Sequence, residues 1–326
     1  MARSATPALV YSTPQYRYFS EKLAQRPNFA LGGLERVRFP DGEIYQRLTH
    51  PVRDRDAVVV GGTVSSEETM ELYDLASGLA NHGVDHLTLV VPYFGYATME
   101  RKSRSGEIVT AKNRAVLLSS IPRARICNEI VMIDLHTGGI PHYFENHLRP
   151  YHLISYKLIA KIVNGLDKSS DLILASTDAG RAKWVAFLAN QLGLPAAFVY
   201  KRRISGTETE IRGINADVAG KHVVIYDDMI RTGGSLVKAG QAYRDGGAVR
   251  ITAISTHGLF AGEGLARVRD SGLFDRVIVT DTHPNAIHMA ESQKDGFLRV
   301  ESVIPEVASF LENRENWGDA PEIDVS

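Results

Sequence analysis

Two adjacent acids and a small, hydroxyl-bearing turn are the residues of this chain best suited to chemistry. Asp227 and Asp228 end the apolar run Val223–Tyr226, and the turn Thr232-Gly233-Gly234-Ser235 leads into a helical pattern. Carboxylates at a strand end can accept hydrogen bonds from sugar hydroxyls, and backbone N–H groups at a helix N-terminus favour a phosphate. The pattern therefore favours a ribose carrying a 5-phosphate, with an ordinary strand–turn–helix corner as the alternative.

The elements that must position this site alternate between short β-rich runs and helical patterns. This alternation predicts an α/β fold with largely parallel sheets. The runs that we expect to be buried strands are Ala57–Val60, Leu87–Val91, Glu129–Ile133, Leu172–Ala175, Val223–Tyr226, Arg250–Ser255 and Arg276–Thr280. Two sets of side chains share a helical face and are expected to be core: Met70, Leu72, Leu75, Ala76 and Leu79, and Trp184, Phe187 and Leu188.

The two halves of the chain resemble each other. The strand Ala57–Val60 is followed by a helix, a glycine and another strand, and Val223–Tyr226 is followed by the same sequence of elements. A tandem duplication explains this similarity, and chance likeness between two βαβ units is the alternative. Gly61 and Gly62 stand where the second copy has its two acids, so only the second half is expected to hold ribose hydroxyls.

The chain is long enough for two domains. We place an N-terminal domain at 1–150, a C-terminal domain at 151–305, and a helix end with a frayed tail at 306–326. The least regular stretch, Pro141–Pro150, marks the approach to the boundary.

The net charge, the apolar runs and the cysteine count bear on which partners and which cellular location the sequence favours. With 37 Lys+Arg against 38 Asp+Glu, the net charge of -1 gives no indication of a nucleic-acid surface or a membrane patch. No apolar run approaches the roughly 20 residues of a membrane span, and no signal peptide is recognisable. Cys127 is the only cysteine, which excludes intrachain disulfides and favours a cytoplasmic location. Its apolar neighbours predict a buried structural thiol.

Several ordered motifs resemble those of the ribose-phosphate diphosphokinases, also called phosphoribosyl pyrophosphate synthetases, from about Ala8 to about Pro305. They are Phe39-Pro-Asp41-Gly-Glu43, Pro92–Ala97 with Arg101-Lys102, Thr110–Lys112, Asp134-Leu-His136, Asp178-Ala179-Gly180, Lys201-Arg-Arg203 and the loop 227–235. The resemblance implies two tandem phosphoribosyltransferase-type domains, each a mostly parallel sheet flanked by helices. It also implies Mg²⁺-dependent transfer of the diphosphoryl group of ATP to the anomeric hydroxyl of ribose 5-phosphate, with release of AMP.

The resemblance also implies roles for residues of the first half. Phe39 would stack on adenine, and Asp41 and Glu43 would accept from its amine, with Arg101 and His136 also binding ATP. This loop would come from a neighbouring subunit, which predicts a homo-oligomer such as a dimer or hexamer. From the residues alone, an ordinary Pro-Asp-Gly turn is the alternative.

Further roles follow for the catalytic groups. Lys201, Arg203 and His136 would be catalytic, the first two on a closing loop that binds the transition state. His136 and Asp178 both follow apolar runs and would hold Mg²⁺ mainly through waters. The small-residue turn Asp178-Ala179-Gly180 would bind the transferred diphosphate. Arg181 and Lys183 either add charge there or are solvated helix residues.

The ribose-5-phosphate site would comprise Asp227, Asp228, Arg231, Thr232, Gly233, Gly234 and Ser235. Two positions depart from the family pattern. Thr98-Met99 replaces an Arg-Gln pair that contacts ATP, and Arg231 stands where many members have Asp. These departures leave two alternatives open: a diphosphokinase for another 5-phosphoribosyl acceptor such as ADP-ribose, or a non-catalytic regulatory partner of a synthetase.

Overall fold

The computed structural model divides the chain into two compact units. It describes residues 6–167, 171–203, 209–293 and 295–313, and the side chains of 201–203 and 209–212 lie outside that description. The first unit runs to Ile154 and includes the segment that begins at Ile304, and the second unit comprises Ser155–Val303.

The first unit is built on a six-stranded, fully parallel sheet of order β2-β1-β5-β6-β7-β8. Its strands are β1 Ala8–Ser12, β2 Phe29–Leu31, β5 Ala57–Val60, β6 His86–Val91, β7 Cys127–Ile133 and β8 Leu148–Leu153. A separate antiparallel hairpin consists of β3 Leu34–Arg38 and β4 Ile44–Leu48. The helices are α1 Arg17–Leu23, α2 Ser66–Asn81, α3 Thr110–Ser119 and α9 Ile304–Glu312.

Helix α2 shows how the sequence sets one of these elements. The Ser65 hydroxyl accepts a hydrogen bond from the Glu68 N–H at 3.1 Å, which caps the first turn. The apolar face then packs on the sheet, with Leu72, Leu75 and Leu79 almost fully buried. Met70 was predicted to share that core, but it is 43% exposed because it faces a groove between the helix and the hairpin.

The second unit contains a seven-stranded sheet of order β11-β10-β9-β12-β13-β14-β15, parallel except for β11. Its strands are β9 Leu172–Ser176, β10 Ala196–Arg203, β11 Thr209–Ile214, β12 His222–Ile230, β13 Arg250–Gly258, β14 Arg276–Thr280 and β15 Leu298–Glu301. Its helices are α4 Tyr156–Asn164, α5 Ala182–Leu192, α6 Gly234–Asp245, α7 Gly264–Asp270 and α8 Pro284–Ser292. The prediction of mostly parallel sheets flanked by helices is confirmed.

The two units repeat one topology. The order β2-β1-β5-β6-β7-β8 in the first unit corresponds strand for strand to β10-β9-β12-β13-β14-β15 in the second. Each unit also has an antiparallel pair just before its third parallel strand in the chain: β3–β4 before β5, and β10–β11, which includes the second parallel strand, before β12. This correspondence supports the duplication inferred from the sequence.

The structure moves the unit boundary beyond Pro150. Strand β8 includes this proline and lies at the edge of the first sheet, a position that tolerates a missing N–H donor. Its mixed polar sequence hid the strand from an apolar-run search. Helix α9 belongs to the first unit, where Phe310 contacts Tyr151 with ring centroids 5.2 Å apart and Glu312 pairs with Arg26 at 3.1 Å. The predicted frayed tail beyond Asn313 lies outside the described residues.

Cys127 is only half-buried, not buried as predicted, because it opens β7 beside the 43% exposed Ile126. In the described part of the chain, no helix is both long and apolar enough to cross a membrane.

Burial of Glu68 generates a pH prediction. The side chain is 3% exposed and accepts a hydrogen bond from Thr13, and burial raises its pKa from 4.5 to about 7. The unfolded chain therefore loses this proton at lower pH than the folded chain does. Hence the free energy of unfolding should fall as pH rises from about 4.5 to about 7, by at most about 3 kcal/mol from this group. Glu68→Gln should remove that decline in denaturant titrations.

The matched control is Glu21→Gln, which removes an exposed carboxylate paired with Arg17 on α1. It should leave the pH dependence of the wild-type protein in place. If the free energy of unfolding falls with pH equally in the wild type and in Glu68→Gln, Glu68 is not the cause of the decline.

Candidate active site

The two acids of the sugar motif lie inside β12, not after it as the apolar run suggested. The strand continues to Ile230 because its ladder with β13 goes on through the pairs Asp227–Ser255 and Ile230–Gly258. Its ladder with β9 stops at Tyr226–Ser176. Both acids therefore project beyond the end of β9, beside the segment that follows it.

The two carboxylates have different surroundings because consecutive strand residues point to opposite faces. Asp227 is half-buried, and its carboxylate accepts from the Thr177 hydroxyl at 2.8 Å and from the Asp228 N–H at 3.0 Å. Asp228 is only 3% exposed and forms an ion pair with Arg181 at 2.5 Å. Burial, and then the neighbouring Asp228, raises the pKa of Asp227 well above its usual range.

The turn after β12 is braced by the segment that leads into α7. The Ala261 N–H donates to the Arg231 carbonyl at 2.8 Å, and Arg267 Nη1 donates to the Thr232 carbonyl at 3.1 Å. Gly233 has a φ of +75°, and α6 begins at the next residue. The turn thus directs the N-terminus of α6 towards the carboxyl end of β12, where the partial positive charge suits a phosphate.

The bracing residues were not found from the sequence. Ala261 acts through its backbone, which no side-chain motif reveals. Arg267 lies on the short helix α7, where a sequence pattern alone does not distinguish a support from a solvated cation. The available signal was the run of glycines at 258, 262 and 264, which indicates a tight turn near the motif.

The proposed diphosphate turn lies at the end of β9. The Ser176 hydroxyl donates to the Asp178 carbonyl at 2.6 Å, and Asp178 Oδ1 accepts from the Gly180 N–H at 3.0 Å. This contact caps a short 3-10 turn, Ala179–Arg181, which precedes α5. Tyr243 of α6 donates to the Ser176 carbonyl at 2.9 Å, so the two candidate phosphate-binding segments are anchored to one strand end.

Arg181 and Lys183 differ in the structure. The Arg181 side chain is 14% exposed and faces the acids of β12, whereas Lys183 is exposed. Burial opposes the charge of Arg181, but Asp228, Tyr226 and Asp227 together raise its pKa. Arg181 is therefore not a solvated helix residue.

The proposed adenine-binding residues lie at the tip of the β3–β4 hairpin. Phe39 is 44% exposed, and its ring centroid lies 6.3 Å from that of Tyr45. The Phe39 N–H donates to the Glu43 carbonyl at 2.8 Å, and the Glu43 N–H donates to the Asp41 carboxylate at 3.1 Å. The tip is thus an ordered turn with an exposed ring and exposed carboxylates.

His136 lies where the sequence placed it, after β7, and is half-buried. Two hydrogen bonds hold the segment: the Asp134 N–H donates to the Leu153 carbonyl at 3.0 Å, and the Leu135 N–H donates to the His152 side chain at Nε2, 2.9 Å away. Arg101 is exposed and pairs with Glu100 at 3.5 Å.

A cation lies beside the departure at Thr98-Met99. The preceding Tyr96 has a φ of +62°, and the Arg114 guanidinium lies 4.9 Å from its ring centroid. Arg114 also donates to the Ser66 hydroxyl at 3.0 Å. The position of Arg114 on α3 gave no signal in the sequence, because only the fold brings it to this turn.

The end of β5 in the first unit, which corresponds to the acid site of β12, is filled by protein. A Cβ on Gly62 would lie 2.4 Å from the Tyr16 hydroxyl oxygen, and Tyr16 is fully buried. The glycines at 61 and 62 therefore accommodate Thr13 and Tyr16, and they stand where β12 has its two acids. This agrees with the expectation that only the second half binds ribose.

The remaining predicted residues are only partly described. The backbones of Lys201 and Arg203 belong to β10, but both side chains lie outside the described residues. His136 and Asp178 belong to different units. Within the described residues, no three His, Cys, Asp or Glu side chains form a metal-binding cluster.

Comparison with known proteins identifies the family. A sequence model of the N-terminal domain of ribose phosphate pyrophosphokinase matches residues 8–121, and one of the phosphoribosyl synthetase-associated domain matches residues 201–319. The ribose-phosphate pyrophosphokinase of Caldanaerobacter subterraneus subsp. tengcongensis is 30% identical over 313 residues, covering 95% of this chain and 96% of that protein. This chain belongs to the ribose-phosphate pyrophosphokinase family.

Other members of the ribose-phosphate pyrophosphokinase family match over a similar length. The protein from Haemophilus influenzae is 32% identical over 314 residues, covering 94% of this chain and 95% of its own length. The crystal structure of phosphoribosylpyrophosphate synthetase from Mycobacterium smegmatis superposes with a TM-score of 0.83 at 27% identity, covering 94% of this chain and 98% of that chain. The enzyme family and the fold that the motifs predicted are therefore confirmed.

The phosphate turn generates a prediction for Gly233→Ala. A Cβ at Gly233 would lie 2.7 Å from Val268 Cγ2 and 2.8 Å from the Gly264 carbonyl oxygen, so the turn must shift. We expect weaker binding of ribose 5-phosphate, measured by calorimetry. The positive φ alone should cost roughly 1–2 kcal/mol of unfolding free energy.

Gly272→Ala is the matched control, because Gly272 has a φ of +64° and nothing lies within 4 Å of its Cβ position. The variant should lose unfolding free energy because alanine disfavours this positive φ, and it should keep wild-type affinity for ribose 5-phosphate. If Gly233→Ala and Gly272→Ala bind ribose 5-phosphate equally well, the turn at Gly233 does not contribute to phosphate binding.

Proposed function

We propose that this protein transfers the diphosphoryl group of ATP to the anomeric hydroxyl of ribose 5-phosphate, giving 5-phosphoribosyl 1-diphosphate and AMP. The observation that carries the proposal is the carboxyl end of β12, where two acids lie on the strand and a helix-opening turn follows it directly. Membership of the ribose-phosphate pyrophosphokinase family supports it.

The acceptor would bind with its 5-phosphate at the turn Thr232–Ser235 and its hydroxyls towards the acids. Asp227 is half-buried, so its carboxylate can be reached from solvent more readily than that of Asp228. A phosphate at the α6 N-terminus would receive backbone N–H groups that have no partner within the helix. These two attachments would fix the anomeric carbon at the end of the sheet.

In the reaction, the anomeric oxygen forms a bond to the β-phosphorus of ATP. The bond from that phosphorus to the α–β bridging oxygen breaks, AMP departs with that oxygen and the bonding electron pair, and the proton of the anomeric hydroxyl passes to solvent. Phosphoryl transfer requires positioning and charge stabilisation from the protein more than covalent chemistry. We assign positioning of the diphosphate to the turn Asp178–Gly180, and stabilisation of developing charge to Lys201 and Arg203.

We propose Mg²⁺ as the cofactor, with Asp178 and His136 as its protein contacts. When bound, the ion would neutralise charge on the phosphate oxygens. Asp178 Oδ1 is already engaged by the Gly180 N–H, which orients the carboxylate at the start of the turn.

We assign ATP binding to Phe39, Asp41, Glu43, Arg101 and His136, and Arg114 provides a further cation near the departure at Thr98. We also propose a homo-oligomer in which the hairpin tip serves a neighbouring subunit. Exposed apolar side chains on this hairpin support that arrangement, with Val37 and Tyr45 each 40% exposed. The lone cysteine remains the basis for a proposed cytoplasmic location.

The test of the reaction is incubation of the purified chain with ATP, Mg²⁺ and ribose 5-phosphate, with products identified by mass spectrometry. We expect AMP and 5-phosphoribosyl 1-diphosphate in equal amounts. Lys201→Ala and Arg203→Ala should fold normally and lower turnover by about three orders of magnitude, because transition-state charge is left uncompensated.

Lys22→Ala, a change at the end of α1, is the control and should retain turnover. No AMP from the wild-type chain, but activation of a separate synthetase on mixing, would instead identify a regulatory partner. Normal turnover in both loop variants would remove Lys201 and Arg203 from the mechanism.

A second candidate acceptor is favoured by the charges around the phosphate turn. Arg231 is exposed at its start, and the exposed Arg267 holds the Thr232 carbonyl at 3.1 Å. Two guanidinium groups suit an acceptor that carries more negative charge than a single phosphate, such as the diphosphate of ADP-ribose.

Arg231→Asp tests this candidate. If the guanidinium contacts the acceptor, the variant should raise the acceptor KM, and the increase should be larger for ADP-ribose than for ribose 5-phosphate. High salt should reduce this difference between the variant and the wild type, because Arg231 is exposed and its charge is screened. Unchanged KM values for both acceptors would make Arg231 a surface residue and remove the argument for the larger substrate.

A further inference from the structure

We infer that Arg181 is a positioning residue that makes the acceptor site selective for a sugar with both of its vicinal hydroxyls. The inference rests on the proposed function, because it takes the carboxyl end of β12 as the acceptor site. No motif in the sequence assigned Arg181 to the sugar.

The geometry connects Arg181 to both acids. Its guanidinium lies 2.5 Å from Asp228 Oδ2, and the Asp228 N–H donates to Asp227 Oδ1 at 3.0 Å. The other oxygen of Asp227 accepts from the Thr177 hydroxyl at 2.8 Å. The two carboxylates are therefore held from the segment that follows β9, by Thr177 on one side and Arg181 on the other.

The guanidinium is itself held in place. Arg181 ends the 3-10 turn that Asp178 caps, and α5 begins directly after it. Three residues on, the Trp184 ring stacks on Tyr226 of β12 at a centroid distance of 3.8 Å and an interplanar angle of 12°. Tyr226 in turn shares a 2.9 Å hydrogen bond with Thr256 of β13. This packing fixes the start of α5 against the strand that carries both acids.

The charges give Arg181 its effect. Two adjacent carboxylates in a buried setting cannot both ionise readily without a cation, and one tends to retain a proton. A protonated carboxyl presents fewer acceptor lone pairs to sugar hydroxyls. Arg181 acts against that proton, because its charge pairs with Asp228 and lowers the pKa of Asp227, which burial and Asp228 raise. A site built to hydrogen-bond a hydroxyl discriminates against an analogue that lacks it, since its buried polar group is left unpaired.

The experiment measures affinity for ribose 5-phosphate and for 2-deoxyribose 5-phosphate by calorimetry. The wild-type protein should prefer ribose 5-phosphate by roughly tenfold, the effect of one hydrogen bond to a charged group. In Arg181→Ala, the ratio of the affinities for ribose 5-phosphate and 2-deoxyribose 5-phosphate should fall close to one. The affinity for the deoxy sugar should change less than threefold, because the phosphate turn remains. Arg181→Lys should restore most of the preference.

Removal of Arg181 leaves a buried acid unpaired and could prevent folding. The second variant, Arg181→Gln, removes the charge but keeps an amide donor for Asp228, so it should fold, and it too should lose the preference. The control Arg250→Ala breaks a pair with Asp167, 2.8 Å long, at the amino-terminal edge of the same sheet. It should keep the wild-type preference.

The outcomes separate this inference from the proposed reaction. A wild-type preference retained in Arg181→Ala or in Arg181→Gln would overturn the inference, as would equal loss of both ligands in these variants. Wild-type protein that binds neither sugar phosphate would overturn the acceptor assignment and the inference together. Preferential binding without AMP formation would overturn only the reaction.

Discussion

The site depends on unequal strand lengths in the second sheet. Strand β9 ends at Ser176, whereas β12 stays paired with β13 as far as Ile230. The part of β12 that extends past β9 brings Asp227 and Asp228 beside the turn that follows β9. The candidate phosphate turn, Thr232–Ser235, begins after the end of β12. Because the strands are parallel, their carboxyl ends meet at one edge, where open α/β sheets bind ligands. Sugar, phosphate and diphosphate sites can then share this edge.

Duplication explains why the two units differ in chemistry despite one topology. In the first unit, Tyr16 fills the space beside Gly62 that corresponds to the acid site. Its hairpin β3–β4 carries the candidate adenine-binding residues. In the second unit, the hairpin β10–β11 at the equivalent position carries Lys201 and Arg203. The proposed function thus gives the hairpins of the two copies different roles, nucleotide recognition in the first and charge stabilisation in the second.

Sequence predicted the parts of the fold that have local signatures. All seven apolar runs became strands, since burial on both faces demands continuous apolar residues. Strand β8 was missed because an edge strand can carry Arg149 and Pro150. In the site, His136 and Asp178 follow strands as predicted, whereas the two acids lie within β12 and not after it. The pairing of Asp228 with Arg181 was not predictable. That pair joins residues far apart in sequence, and only the β9–β12 ladder brings them together.

The most direct test of the account is hydrogen–deuterium exchange of the wild-type chain with and without ribose 5-phosphate. If the sugar phosphate binds at the carboxyl end of β12, exchange should slow in peptides covering 177–181 and 227–236. Peptides covering 61–68, the equivalent strand end of the first unit, should be unchanged. Protection confined to 61–68, or none at 227–236 at saturating ligand, would contradict the account.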